Sequence, residues 1–316
     1  MSFACGGFTV AWSTNHLLVD GCALSSLVSA WSELALSGAL SRGSQPNHRR
    51  AVFRPLTAPS YSAALDEAFT PLRADRQVNV LTFEQAAVER LYYIEASDVE
   101  RLRQAASRNG RRATRVQAVS AYLWKTLAGV VGTADPRCRM GWWVDGRRRL
   151  TSPELRAAMR NYVGNVTTFV VREELVEEVA RAPLPDVAAM VREAIAAPAY
   201  DEHFQELVDW VEEHKAERYV ETASLGLGSP TLSLTAFTSF PVDTDFGLGH
   251  AAMAMPTSSP TARMCSGYVL VTARPEGDGS WIASAFLWPR LAAALESDEP
   301  CVFKPVTAEY LGLRAP

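Results

Sequence analysis

Asn15-His16-Leu17-Leu18-Val19-Asp20-Gly21 decides how this chain is read. The segment lies between two legible elements. Phe8 to Ser13, Phe-Thr-Val-Ala-Trp-Ser, is rich in β-formers, follows Gly6-Gly7 and precedes Thr14-Asn15, so it reads as a strand. Leu24, Leu27, Val28, Trp31, Leu34 and Ala35 recur at helical spacing until Gly38, so residues 23–36 read as a helix. An H-x-x-x-D-G pattern is therefore set in a loop between strand and helix. The plain reading of that pattern is a loop histidine with an aspartate capping the next helix. The chemical reading is an imidazole held where it can exchange a proton with a ligand.

Working outward, residues 41–82 lose periodicity, and Pro46, Pro55, Pro59 and Pro71 punctuate a polar stretch that reads as a long linker with room for a short helix. Val88 to Glu95 reads as a strand. Ser97-Asp98-Val99-Glu100 has the form of a capping box opening a helix that stops near Gly110, and Thr114 to Leu127 reads as a second helix. Strand-like runs follow at Met140 to Val144, Thr167 to Val171, Leu232 to Phe237 and Gly267 to Ala273, with helical stretches at Asp186 to Ala196 and Phe204 to Glu217 between some of them. This interleaving predicts an α/β layered architecture. The hairpin-like Glu276-Gly277-Asp278-Gly279 favours mixed over all-parallel pairing.

A chain of 316 residues passes the size at which one core tends to divide, and 48% hydrophobic with 21% charged residues supplies ample core. A net charge of −4 argues against a nucleic-acid surface, although Arg111-Arg112 and Arg147-Arg148-Arg149 could bind a small phosphorylated ligand. Cys5, Cys22, Cys138, Cys265 and Cys301 are widely spaced without C-x-x-C, so no disulfide framework or zinc knuckle is expected and a reducing cytoplasm is the default. The first residues carry no basic stretch, and no apolar run approaches the ~20 residues of a membrane span. Neither export nor membrane insertion is expected.

Asp245-Phe246-Gly247-Leu248-Gly249, read alone, is a glycine-rich turn without the spacing of a dinucleotide fingerprint. Taken with His16 and Asp20 in this order, it resembles the signatures H-x-x-x-D and D-F-G-W-G of the BAHD family of plant acyl-CoA-dependent acyltransferases. Cys5-Gly6-Gly7-Phe8, Val144-Asp145-Gly146-Arg147-Arg148-Arg149, Asn161-Tyr162-Val163-Gly164-Asn165 and the turn around Gly277-Asp278-Gly279 also match family patterns in order. Two departures stand out. Leu248 replaces the usual Trp, and His16 lies close to Met1 whereas relatives carry a much longer stretch before it, so the first strands and helices of an N-terminal domain are expected to be missing.

The resemblance implies a two-domain chloramphenicol acetyltransferase-like α/β fold with mixed sheets and an incomplete N-terminal domain. Residues 1–45, with a crossover at 245–264, would be the remnant of that domain, 46–82 the linker and 83–316 the C-terminal domain. His16 would be the general base for acyl transfer from acyl-CoA to a hydroxyl or amine of a plant specialised metabolite. Asp20 would turn away and pair with Arg147 or Arg149, while Asp245, Gly247 and Gly249 would act structurally. Arg111, Arg112 and Thr114, at a helix N-terminus, are candidates for the CoA phosphates. His48, His203, His214 and His250 show no metal-ligand spacing, so no metal and no permanently bound cofactor are expected.

Thr238-Ser239-Phe240-Pro241 offers no arginine of the sort that marks shikimate-type family members, which favours a neutral alcohol over a carboxylated acceptor. A complete relative would be a monomer, and the shortened chain could associate. Two rivals remain: a condensation-type domain that takes its acyl group from a carrier protein, and a non-catalytic truncated product.

Overall fold

The computed structural model describes residues 2, 6–71, 87–240, 242, 244–257, 266–275, 277–297, 299 and 301–309. Cys5, residues 72–82 of the expected linker, 83–86 at the start of the expected C-terminal domain, Pro241, 258–264 of the expected crossover, Cys265, Glu276 and residues 310–316 lie outside them.

Helix α1 (Gly21–Ser37) is followed by a short helix α2 (Ala63–Ala68) and strand β1 (Phe69–Pro71), and then β2 (Val88–Ile94), α3 (Ala96–Ala105), α4 (Arg115–Val131) and β3 (Arg137–Asp145). Next come α5 (Pro153–Ala158), β4 (Thr167–Leu175), α6 (Val176–Arg181), α7 (Leu184–Ala196), α8 (Tyr200–His214), β5 (Tyr219–Glu221) and β6 (Thr231–Ala236). The chain closes with β7 (Ser266–Ala273), β8 (Trp281–Leu287), α9 (Pro289–Ser297) and β9 (Lys304–Pro305). The principal sheet has seven strands in the order β4-β3-β6-β7-β8-β2-β9. It is mixed: β3, β6 and β7 run parallel to one another, whereas β7 and β8, joined at the expected Gly277-Asp278-Gly279 turn, are antiparallel. β1 and β5 form a separate antiparallel pair.

The pleat sorts this sheet into a packed face and an open one. Met140, Trp142 and Val144 of β3, Leu232 and Leu234 of β6, and Val269 and Val271 of β7 point into one core with Val119, Leu123, Trp124 and Leu127 of α4, Val187 and Val191 of α7, and Leu291 and Leu295 of α9. The residues between them, such as Trp143, Thr235, Tyr268 and Leu270, face the other way and line a cavity. Among the described residues, no helix is long and apolar enough to cross a membrane.

Three local expectations are corrected. Residues 9–13 form no ladder, and Phe8, Val10 and Trp12 are 53, 58 and 44% exposed. β-formers make a strand only beside another strand, and apart from an isolated Ser2–Phe8 bridge no described segment pairs there. α3 opens at Ala96 behind Glu95, without a side-chain cap, and ends at Ala105 rather than near Gly110. Ser97 thus falls inside the helix, and Glu100, the other letter of the box, is ion-paired with Arg112 at 2.8 Å and Arg103 at 3.4 Å. The reciprocal capping box sits one helix later, where Thr114 Oγ1 accepts from Gln117 N at 3.1 Å and Gln117 Oε1 accepts from Thr114 N at 2.9 Å.

The stretch read as linker is docked over its described length. Asn47 N donates to Asn161 O and accepts at its own carbonyl from Val163 N, and Leu56 N and Ser60 N donate to the Asp209 carboxylate. Such a segment shows no period because backbone and side-chain groups elsewhere, not a regular ladder, satisfy its backbone.

Candidate active site

The loop before α1 is built around Asp20. Its Oδ1 caps α1 by accepting from Ala23 N at 2.9 Å. Its Oδ2 accepts from Arg147 Nη1 at 2.7 Å, Val166 N at 2.8 Å and Thr167 Oγ1 at 3.1 Å. Arg147 follows β3 in a tight 3₁₀ turn, donates from Nη2 to Gly164 O at 2.8 Å, and shares Nη1 with Asp145 Oδ1 at 3.1 Å. Burial pushes the Arg147 pKa down, but the Asp20 carboxylate outweighs it and holds the guanidinium above its usual value. Gly21 is required by close packing, because a Cβ there would lie 2.2 Å from the Phe237 ring.

With Asp20 so held, His16 is placed by backbone. Leu18 N donates to Asn15 O at 2.9 Å, closing a turn, and Asn165 Nδ2 donates to His16 O at 2.7 Å. The imidazole is exposed and borders a cavity of about 2280 Å³ between the His16 loop, α1 and the open face of the sheet.

Of the other residues singled out from sequence, Arg147 rather than Arg149 meets Asp20. Arg149 borders the cavity, and its charge acts on Tyr200 at the start of α8. Thr114 also borders the cavity. Arg112 is ion-paired with Glu100 at 2.8 Å, and the Arg111 backbone exchanges hydrogen bonds with Arg108; neither lines the cavity. Asp245 Oδ1 gathers the amides of Gly247, Leu248 and Gly249 at 2.7, 3.0 and 2.9 Å. Gly247 and Gly249 adopt φ of +90° and +85°, which a side chain would resist. The turn docks on α1 through Phe246 against Trp31, ring centroids 5.2 Å apart, and through Ser32 Oγ donating to Asp245 O. Leu248 is 71% exposed.

Sequence reasoning passed over several cavity residues. Trp143 Nε1 and Thr235 Oγ1, register partners on β3 and β6, are buried without hydrogen-bond partners beside the cavity. Only the pairing register brings them together, so no local signal could have found them. Cys22, two residues after Asp20, also borders the cavity; burial and then the Asp145 charge push its thiol up to about 11, so it stays protonated at neutral pH. Cys22, Cys138 and Cys301 are free. Among the described residues, no group of His, Cys, Asp and Glu side chains could hold a metal ion.

The model of the Transferase family matches residues 1–299. The chain belongs to this family, that of the BAHD acyltransferases. Its BAHD relatives include putrescine hydroxycinnamoyltransferase of Oryza sativa subsp. japonica, 28% identical over 303 residues that cover 88% of this chain and 65% of the relative. Another is the fatty alcohol:caffeoyl-CoA acyltransferase of Arabidopsis thaliana, 26% identical, with 82% of this chain and 57% of the relative covered. The chain thus spans less than two thirds of the length of either. F. graminearum TRI101, complexed with coenzyme A and T-2 mycotoxin, superposes with a TM-score of 0.71 over 91% of this chain and 64% of its own at 16% identity. That agreement establishes the chloramphenicol acetyltransferase-like BAHD fold.

Proposed function

We propose that this BAHD chain transfers an acyl group from acyl-CoA to a hydroxyl or amine of a plant specialised metabolite, with His16 as general base. The observation that carries the reading is the division of labour between the two motif side chains. Asp20 is 2% exposed and spends its oxygens on Ala23, Arg147, Val166 and Thr167, whereas the His16 imidazole is exposed on the cavity. As the acceptor oxygen or nitrogen bonds to the thioester carbonyl carbon, its proton passes to the imidazole. The tetrahedral intermediate then breaks its C–S bond and the departing CoA sulfur recovers that proton. No metal and no resident cofactor enter this scheme.

Thr114 supports a CoA site at the α4 end of the cavity, while Arg112, neutralised by Glu100, supports it less. The same reading assigns residues 1–45, with the crossover at 245–264, to an N-terminal unit, 46–82 to a linker and 83–316 to a C-terminal unit. Val19 and Ala23 stay out of the main core and pack in a small cluster with Val163 of the C-terminal unit, as a contact between such units would. The free thiols suit a reducing cytoplasm.

The test is to incubate the purified chain with hydroxycinnamoyl-CoA and either putrescine, agmatine or a long-chain alcohol, and to follow CoA release and product mass. Transfer by the wild type and its loss in His16→Ala are expected. Transfer only from an acylated carrier protein would instead identify condensation-type chemistry.

A further inference from the structure

Arg148 stands apart from its neighbours in the Arg147-Arg148-Arg149 run. Its guanidinium is exposed, borders the cavity, and has no carboxylate partner among the described residues. It is nevertheless held in place. Nη1 donates to Ser239 Oγ at 2.9 Å, Nη2 lies 3.4 Å from Ser239 O, and the guanidinium carbon stands 5.5 Å from the centre of the Phe240 ring. Phe240 belongs to an apolar cluster with Phe237, Tyr268 and Trp143. A cation on a cavity wall, positioned by neutral groups and an aromatic face, keeps its net charge for something that enters.

The fold thereby supplies what the local sequence lacked. Thr238-Ser239-Phe240 contains no arginine, yet Arg148 reaches Ser239 across 91 positions. The expectation of a neutral acceptor rested on that local absence, and the tertiary structure removes its ground. We propose that Arg148 anchors a carboxylate carried by a small-molecule substrate in this cavity, a deepening that rests on the acyl-transfer reading above.

Two features favour a carboxylate over a phosphate. Among the described residues Arg148 supplies the guanidinium bonded at Ser239, a single cation matched to a monoanion rather than a dianion. The adjoining Phe240, Phe237 and Trp143 suit an acid group on an apolar or aromatic body. Of the five N–H donors in a guanidinium, at least the Nε hydrogen and one on each Nη are left for a planar carboxylate. The carboxylate could belong to the acceptor or to a dicarboxylic acyl group, and the experiment separates these.

Isothermal titration of the purified chain is run with matched pairs: hydroxybenzoate against hydroxybenzamide, aminobenzoate against aminobenzamide, and succinyl-CoA against butyryl-CoA, with free CoA alongside. In at least one pair the acid should bind about tenfold or more tightly than its neutral partner. Arg148→Gln should abolish that preference, Arg148→Lys should keep part of it, and the Kd of free CoA should stay within about twofold in both. A benzoate preference places the carboxylate on the acceptor, and a succinyl-CoA preference places it on the acyl group. The proposal is overturned by no acid preference in any pair, by a preference that survives Arg148→Gln, or by weakened binding of free CoA in Arg148→Gln, which would make the arginine a phosphate ligand. Failure of the acyl-transfer reading shows separately, as absence of CoA binding and turnover, while the benzoate pairs still report on Arg148.

Discussion

Arg147 Nη1 meets Asp20 Oδ2 at 2.7 Å across 127 positions of chain, with side-chain exposures of only 8% and 1%. The pair joins the loop that presents His16 to the turn that ends β3. An ion pair so deeply buried is costly to break from one side, because the surviving charge is left without a partner. Asp20→Ala and Arg147→Ala should each destabilise the protein by about 3–5 kcal/mol, and the double variant should lose markedly less than the sum. Asp20→Ala also removes the α1 cap, worth about 1 kcal/mol, so it should be the more damaging of the two. Urea unfolding of the four proteins measures the coupling; fully additive losses would show that the contact contributes nothing.

His16 presents the opposite case. Its side chain is exposed and its loop is held through its carbonyl, so His16→Ala should leave the unfolding midpoint within about 0.5 kcal/mol of wild type. Acyl transfer should fall by about 100- to 10,000-fold, the usual contribution of a general base. A variant that kept most of its turnover with an unchanged melt would remove His16 from the chemistry.

The contrast between these residues shows what could be read from sequence. α1 announces itself by apolar residues at helical spacing, and β3, β6 and β7 as short runs of β-formers buried on both faces. The segment from Phe8 to Ser13 carries equally good β-formers, but strand formation depends on a neighbour that no local pattern reports. The choice of Arg147 over Arg149 was equally hidden, since it turns on the 3₁₀ geometry at Gly146–Arg148. Ser97-Asp98-Val99-Glu100 had the letters of a capping box, yet Ser97 lies inside α3 and Glu100 is claimed by Arg103 and by Arg112, 12 positions away. Arg148 beside Ser239 is of the same kind: a long-range contact between two stretches that each look unremarkable.

Asp245 offers a test of the glycine turn and its pH dependence. The amide of Gly247, with those of Gly249 and Leu248, holds the carboxyl below the usual carboxylate range. A folded-state pKa below the unfolded value means that the contribution is present above the unfolded pKa of about 3.9 and is lost as pH falls through the folded one. Asp245→Ala should lower the hydrogen-exchange protection of the Gly247, Leu248 and Gly249 amides relative to their intrinsic rates at neutral pH, and acidifying the wild type through the folded-state pKa, below ~3.9, should lower that protection likewise. Equal exchange in variant and wild type would show that the carboxylate does not hold the turn.

The surface around α1 makes the last prediction. Leu17 is 86% exposed, Leu34 46% and Leu36 55%, and Phe8, Val10 and Trp12 in the segment before the His16 loop are 53, 58 and 44% exposed. Trp31, itself 54% exposed, links the two by packing edge-on against Trp12 at 6.4 Å and Phe246 at 5.2 Å. Exposed apolar side chains gathered around Trp31 in this way favour association between copies of the chain. Sedimentation velocity of the purified chain should therefore show self-association that grows with concentration. Leu17→Ser combined with Leu34→Glu should shift the distribution toward monomer, and because both side chains are exposed the melting temperature should hardly move. Leu17 lies beside His16 and Leu34 does not line the cavity, so the single Leu34→Glu variant separates loss of association from any change in the His16 loop. A wild type that sediments as one monomeric species at every concentration would mean that this surface is tolerated in water, and the expected association would be wrong.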